Sequence, residues 1–243
     1  MAANIYESDR LVREYLLFHY GEAEEILPWA CGPRDALGFA ERCVTELLDA
    51  AALPSRPRAL DIGCAVGRSS FELARYCREV IGIDYSRAFI DTAETIRKQG
   101  GLDYDYVIEG DRIAHGTAGV PSGVDTSCIS FEVGDAMDLR GDLGSFDVVL
   151  AANLLCRLPE PRKFLARLPS LVRPGGQLIL TTPFTWLEDY TPRDSWIGGR
   201  GDASSAQALT DLLSPHFELR EQKDLPFVIR EHARKFQWSV AWA

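Results

Sequence analysis

Acidic residues at the ends of apolar runs, followed by glycines, carry most of the chemistry legible in this chain. Asp61 closes one such run and leads into Gly63-Cys64-Ala65-Val66-Gly67-Arg68-Ser69-Ser70, a turn placed between a predicted strand and a predicted helix. Asp84 closes a second run, 23 positions later, in Gly82-Ile83-Asp84-Tyr85-Ser86, and Gly134-Asp135-Ala136 follows a third. A carboxylate about twenty residues beyond a nucleotide turn can accept both ribose hydroxyls. Asp135 is placed to accept an adenine amino group. A dinucleotide turn needs glycines where Ala65 and the region of Arg68 stand, and a phosphate loop needs Gly-Lys-Ser/Thr where the chain has Arg68-Ser69. Both phosphate-binding patterns fail, and what remains is an acid at the strand end, two glycines four apart and a second acid closing the second strand. Any one acid is an ordinary turn or cap residue, but three at successive strand ends is a more specific pattern.

The elements that must hold these residues follow from periodicity. Apolar runs at 59–62, 80–83, 129–133, 146–151 and 177–181 alternate with helical patterns at 69–77, 86–99, 161–172 and 204–213, the mark of a parallel doubly wound sheet. Pro174-Gly175-Gly176 is a stop before the fifth strand. Upstream, Leu11, Tyr15 and Phe18 predict a helix over 8–20 capped by Ser8. Asp35 is a candidate cap for a second helix through Phe39, Cys43 and Leu47. Residues 217–222 and 235–242 predict a closing antiparallel hairpin, with Phe236, Trp238, Val240 and Trp242 on one face and assigned to the core. Residues 100–125 are long for a loop of this class and read as a lid, a small insertion or a mobile loop.

The first turn, Asp61-x-Gly63-x-Ala65-x-Gly67, resembles the acid-x-Gly-x-Gly-x-Gly motif of the class I S-adenosylmethionine-dependent methyltransferases, with Ala65 in place of the middle glycine. The resemblance covers about 58–243. It implies an α/β, Rossmann-like doubly wound sheet of seven strands with a C-terminal antiparallel hairpin, and S-adenosylmethionine as cofactor, with S-adenosylhomocysteine as product. It divides the chain into a helical extension, 1–57, covering the substrate site, and a methyltransferase domain, 58–243, with an insertion at 100–127. The expected cofactor contacts are Asp61, Gly63, Cys64, Ala65, Gly67, Asp84, Tyr85, Asp135, Ala136 and Asn153.

Ligands of such sheets lie beyond the carboxyl ends of the strands, so the loops after the fourth and fifth strands and the hairpin connection are the places to seek a substrate. Candidate substrate contacts are Tyr20, Arg157, Phe184, Trp186, Arg230 and Glu231. Arg230 would pair with a carboxylate, Glu231 would accept from an ammonium, and the two tryptophan-loop aromatics would wall a ring. Surface charge and plain packing under the loop account for the same residues. Tyr15, His19 and Asn153 are candidates to fix the acceptor and take its proton. Strings at 15–21, 63–73, 151–158, 183–190 and 226–237 also resemble the ovothiol-biosynthesis methyltransferases. Those enzymes methylate the imidazole π nitrogen of 5-thiohistidine and also occur fused behind a sulfoxide synthase. The resemblance implies a thiohistidine-like amino acid as acceptor and a stand-alone enzyme.

Composition narrows the partners. Thirty-six acidic against 26 basic residues give a net charge of −10, unfavourable for sequence-independent attraction to nucleic acid or an anionic membrane. The six cysteines, Cys31, Cys43, Cys64, Cys77, Cys128 and Cys156, form no Cys-x-x-Cys pair, and no metal site is expected. No apolar run approaches about 20 residues, and the first seven residues lack a signal-peptide layout, so a cytoplasmic protein is expected.

Overall fold

A computed structural model describes residues 5–243; Met1–Asn4, where the leader pattern and the first part of the helical extension were read, lie outside the described residues. Five parallel strands form the central sheet: β1 (Arg58–Ile62), β2 (Glu79–Asp84), β5 (Ile129–Val133), β6 (Phe146–Ala152) and β7 (Val172–Thr181). Their order is β5-β2-β1-β6-β7, so the chain winds outward in one direction from β1 to β2 and β5, then in the other through β6 and β7. β1 and β6 are apolar and buried almost throughout, as strands covered on both faces must be. One face packs against α4 (Arg68–Leu73) and α5 (Arg87–Gln99), the other against α6 (Pro161–Leu171) and α7 (Ser205–Leu213).

The helices begin where side-chain caps are available. Ser8 Oγ accepts from Leu11 N at the start of α1 (Asp9–Tyr20), Ser86 Oγ from Phe89 N at α5, and Ser204 Oγ from Gln207 N at α7. Asp35 is not a cap. It lies in a short 3-10 turn, and Gly38, with φ +65°, starts α3 (Phe39–Thr45) instead. α2 (Ala23–Ile26) is a single turn closed by a reciprocal Glu22/Glu25 box.

The sheet departs from the expected seven strands. Residues 101–119, the long insertion, form an antiparallel hairpin of β3 (Gly101–Glu109) and β4 (Arg112–Gly119) outside the central sheet. The C-terminal hairpin is β8 (Asp224–His232) paired with β9 (Lys235–Trp242); residues 217–222 are not its first strand. Just past the end of β7, Thr182 bonds reciprocally with Trp242 of this hairpin at 2.9 Å, an isolated bridge rather than a continued ladder. Pro183 follows at once and has no N–H to continue a ladder, and Phe184 turns the chain away at φ +51°. The aromatic stripe of β9 is corrected in part. Trp238 is 56% and Val240 37% exposed, whereas Phe236 and Trp242, toward the two ends of the strand, are partly buried against the core. The two hairpins meet at their ends, Ala233 N donating to Ile108 O, and with α1 they build a second lobe beside the sheet.

Candidate functional site

The glycine turn lies at the carboxyl end of β1, where the direction of winding reverses between β1 and β6. Gly63 (φ +77°) and Gly67 (φ +89°) adopt backbone conformations that side-chain-bearing residues rarely take. A Cβ at Gly67 would sit 2.7 Å from the Phe131 ring, and one at Gly63 would crowd Leu154, the residue after Asn153. Ala65, where the methyltransferase motif has its middle glycine, also lies at φ +48°, so the substitution keeps the backbone course that glycine would give. Cys64 is buried. Its N–H goes to Ile83 O, as does that of Gly63, and its carbonyl accepts from Gly67 N, so its polar groups are spent within the turn.

Two carboxylates flank this turn. Asp61 is buried and accepts from Ser69 Oγ and Ser70 Oγ, both at 2.7 Å on the same oxygen Oδ2, while Oδ1 has no partner among the described residues. Burial raises its pKa to about 6, against the lowering effect of the two serines. Asp84 accepts from Ala65 N at 2.9 Å and Ser86 N at 2.8 Å, one bond on each oxygen, which ties the first turn to the second. An ionised carboxylate still has lone pairs for ribose hydroxyls after two such bonds. Burial raises this group to about 6 as well. Tyr85 is 64% exposed beside it. Asp135 is exposed and caps its own turn through Met137 N, and Ala136 packs half-buried toward the core. Asn153 (φ +53°) is held from β7: its N–H reaches Thr181 O, and its Oδ1 accepts from Thr181 Oγ1 at 3.1 Å.

The arrangement fits a cationic, phosphate-free nucleoside cofactor. The one cation in the turn, Arg68, is engaged by Glu72 and Glu41, whereas a buried carboxylate oxygen stands without a donor. S-Adenosylmethionine carries an ammonium, a sulfonium and ribose hydroxyls but no phosphate, and Asp61, Asp84 and the backbone of 63–67 would hold it.

Beyond Asp84 several side chains from distant segments converge. Tyr15 on α1 lies in the electrostatic reach of Asp84, Tyr6, Arg157 and Tyr190, and its buried hydroxyl is pushed far up, so it remains a protonated donor. Burial raises the Tyr6 hydroxyl to about 12, with Tyr190 acting in the same direction and Arg157 against it. Arg157 stacks its guanidinium over the Tyr190 ring at 4.9 Å and donates to Thr185 O at 3.1 Å. His19 packs on Tyr15 and Phe18. Burial and the neighbouring Arg68 lower it to about 3, so the ring is neutral, with Nδ1 unpartnered among the described residues. As bases, Tyr15 and His19 are poorly suited: a phenol that keeps its own proton does not take another, and an imidazole of such low basicity holds one weakly.

Other candidates lie elsewhere. Arg230, 4% exposed, donates to Glu25 O and Val107 O and lies over the Tyr106 ring, joining α2 to the 101–119 hairpin rather than facing the crevice. Glu231 is taken by Lys235, Gln237 and, more distantly, Arg10. Both are strand residues of β8, not part of a connection. Tyr20 donates to Val66 O at 2.8 Å, supporting the glycine turn from behind. Trp186 donates to Ser205 Oγ and stacks on Trp196, which is packing under the loop, and Phe184 sits between Trp186 and Trp242. Sequence reasoning passed over Tyr6, Glu7 and Tyr190. Tyr190 stood in a loop that was searched; Tyr6 and Glu7 precede the first periodic segment and leave no local signal. Among the described residues no group of His, Cys, Asp and Glu could hold a metal, and no helix is long and apolar enough to cross a membrane.

Residues 60–180 match the family model described as a methyltransferase domain. The chain is 26% identical over 172 residues to the ubiquinone biosynthesis O-methyltransferase of Xanthomonas axonopodis pv. citri (strain 306), covering 68% of this chain and 62% of that protein. It is 31% identical over 125 residues to the enzyme of the same name from Maricaulis maris (strain MCS10), covering 51% and 40%. The chain thus spans under two thirds of the length of these relatives. In fold it is similar to the cyclase SpnF, with a TM-score of 0.52 at 19% identity over 79% of this chain and 60% of that one. It is likewise similar to a structure described as converting a disulfide bond into a thioacetal group during echinomycin biosynthesis, with a TM-score of 0.50 at 21% identity over 77% and 73%. Residues 60–180 thus match a methyltransferase domain, and the sheet order and the glycine turn agree with one that uses S-adenosylmethionine. The curated relatives named above are methyltransferases acting at oxygen.

Proposed function

We propose that the protein transfers a methyl group from S-adenosylmethionine to the imidazole π nitrogen of 5-thiohistidine, the step that completes ovothiol A. The observation that carries the reading is the meeting of Tyr15, Arg157 and Tyr190 beyond Asp84. These residues come from three of the separate strings that resemble the ovothiol-biosynthesis methyltransferases. Bound at the turn, S-adenosylmethionine supplies a methyl on a sulfonium, an electrophile open to in-line attack. The chain's own contribution is alignment, which can be worth several kcal/mol.

In this reading Arg157 faces the acceptor carboxylate, and the Tyr15 hydroxyl, a donor at all working pH values, holds a ring or sulfur lone pair aside so that the π nitrogen points at the methyl. Sulfur is the softer nucleophile, so selectivity depends on that geometry. A neutral imidazole nitrogen already carries its lone pair, and the reaction asks no residue to remove a proton first. Tyr15 and neutral His19 suit that requirement.

The rival reading is methylation of a phenolic oxygen, favoured by the names of the relatives. It needs a base to generate phenolate, and neither Tyr15 nor His19 supplies one. A competition assay separates them: with 5-thiohistidine and catechol at equal concentration, labelled methyl is expected on the thiohistidine π nitrogen. Label on catechol oxygen alone would replace this reading with the rival.

A further inference from the structure

We propose that Glu7 is a positioning residue for the cofactor, latching the segment before α1 onto the start of α5 beside Asp84. The inference rests on the reading of Asp84 as a cofactor carboxylate and not on the identity of the acceptor. Ser86 is the junction. Its N–H donates to Asp84 Oδ1 at 2.8 Å, its Oγ donates to Tyr6 O at 2.9 Å, and the same Oγ accepts from Phe89 N at 3.2 Å as the cap of α5. The Asp84 carboxylate and the N-terminal segment therefore meet at one residue. Glu7 takes the two N–H groups that follow: Arg87 N donates to Oε1 at 2.9 Å and Ala88 N to Oε2 at 3.2 Å. A helix leaves these donors free in its first turn, and its aligned peptide dipoles favour an anion there.

The latch carries more than its own segment. Ser8, the next residue, caps α1 by accepting from Leu11 N, so α1 begins where the latch ends. Ring contacts extend it: Tyr6 packs edge-on against Phe89 at 5.9 Å and against Tyr15 at 6.2 Å, and Tyr15 lies 4.7 Å from Phe89. α1 is thereby held against α5, next to the strand end that bears Asp84. The other oxygen of Asp84 accepts from Ala65 N at 2.9 Å, which joins the same carboxylate to the glycine turn. A line of hydrogen bonds thus runs from the turn after β1, through Asp84 and Ser86, to the backbone of Tyr6, and Glu7 secures its far end. Without the Glu7 carboxylate, the first two donors of α5 lose their acceptor. Glu7 is exposed, so replacing it leaves the core untouched. A cofactor on Asp84 and a closed latch share Ser86, and each favours the other by the same factor.

The test measures S-adenosylhomocysteine affinity by calorimetry, and hydrogen exchange with and without that ligand, in wild type, Glu7→Gln and Glu7→Ala. Melting temperatures without ligand serve as the folding control. Glu7→Ala is expected to raise the Kd about fivefold or more. Glu7→Gln, which keeps an acceptor oxygen at the same reach, is expected to lose less. In wild type the ligand is expected to slow exchange in 9–12 and 86–89. In Glu7→Ala that ligand-dependent protection is expected to disappear from both segments and to remain in the glycine turn, a split that a general loss of stability does not produce. An unchanged Kd in Glu7→Ala overturns the proposal, and so does wild-type exchange in 9–12 and 86–89 that ignores the ligand. The wild-type comparison needs no variant and decides the matter even where Glu7→Ala does not fold. If wild type binds no S-adenosylhomocysteine, the cofactor reading fails and takes this proposal with it; equal binding by wild type and Glu7→Ala removes the proposal alone.

Discussion

Asp61 and Asp84 set the pH behaviour of the site. Both are raised to about 6 by burial, above the ordinary carboxyl value, so the folded protein holds protons that the unfolded chain releases between about pH 4 and 6. Their contribution to stability is present below pH 4 and is lost as pH rises through 6. A bound cation favours the ionised forms. Cofactor affinity is therefore expected to strengthen as pH rises through 6, with protons released on binding below it; calorimetry in buffers of different ionisation enthalpy reads this directly, and pH-independent affinity would count against it. Asp61→Asn keeps the serine contacts but removes the charge, and is expected to weaken S-adenosylmethionine binding about tenfold or more. Gly67→Ala is a steric prediction. With φ at +89° and Phe131 at 2.7 Å from the added carbon, it is expected to lower unfolding free energy by about 1–3 kcal/mol in urea titration.

Elements separate what sequence can reveal from what it hides. The runs at 59–62 and 146–151 fall on β1 and β6 because buried parallel strands write largely apolar segments, and Ser8, Ser86 and Ser204 fall on helix caps because a cap is a local bond. Asp61 and Asp84 were legible through the same local logic of strand end followed by turn. The placement of Arg230 was not, because it depends on how one hairpin meets another. Its partners are backbone carbonyls 123 and 205 positions away. Tyr6 and Glu7 escaped notice for the same reason, since a carboxylate that covers a helix start 80 residues away has no counterpart in its own neighbourhood. Arg230→Leu is accordingly expected to act on stability. It takes the donor away from two part-buried carbonyls, those of Glu25 and Val107, and is expected to cost about 1–3 kcal/mol in denaturant unfolding. The KM for acceptor in the folded fraction is expected to stay near wild type, and a large KM rise without loss of stability would return Arg230 to the substrate site.

For the whole molecule, the proposed reading gives the sheet the cofactor turn at the end of β1 and gives the parts outside the sheet the acceptor wall. The net charge of −10 and the acids around the crevice suit a cationic cofactor and a small zwitterionic acceptor better than a polyanion. The measurement that bears most directly on this account is mass spectrometry and NMR of the product formed from S-adenosylmethionine with 5-thiohistidine or with histidine. The account predicts one added methyl, on the π nitrogen of the thiohistidine, with S-adenosylhomocysteine formed in equal amount. Methylation at sulfur, or no transfer to either compound by protein that binds S-adenosylhomocysteine, would contradict it.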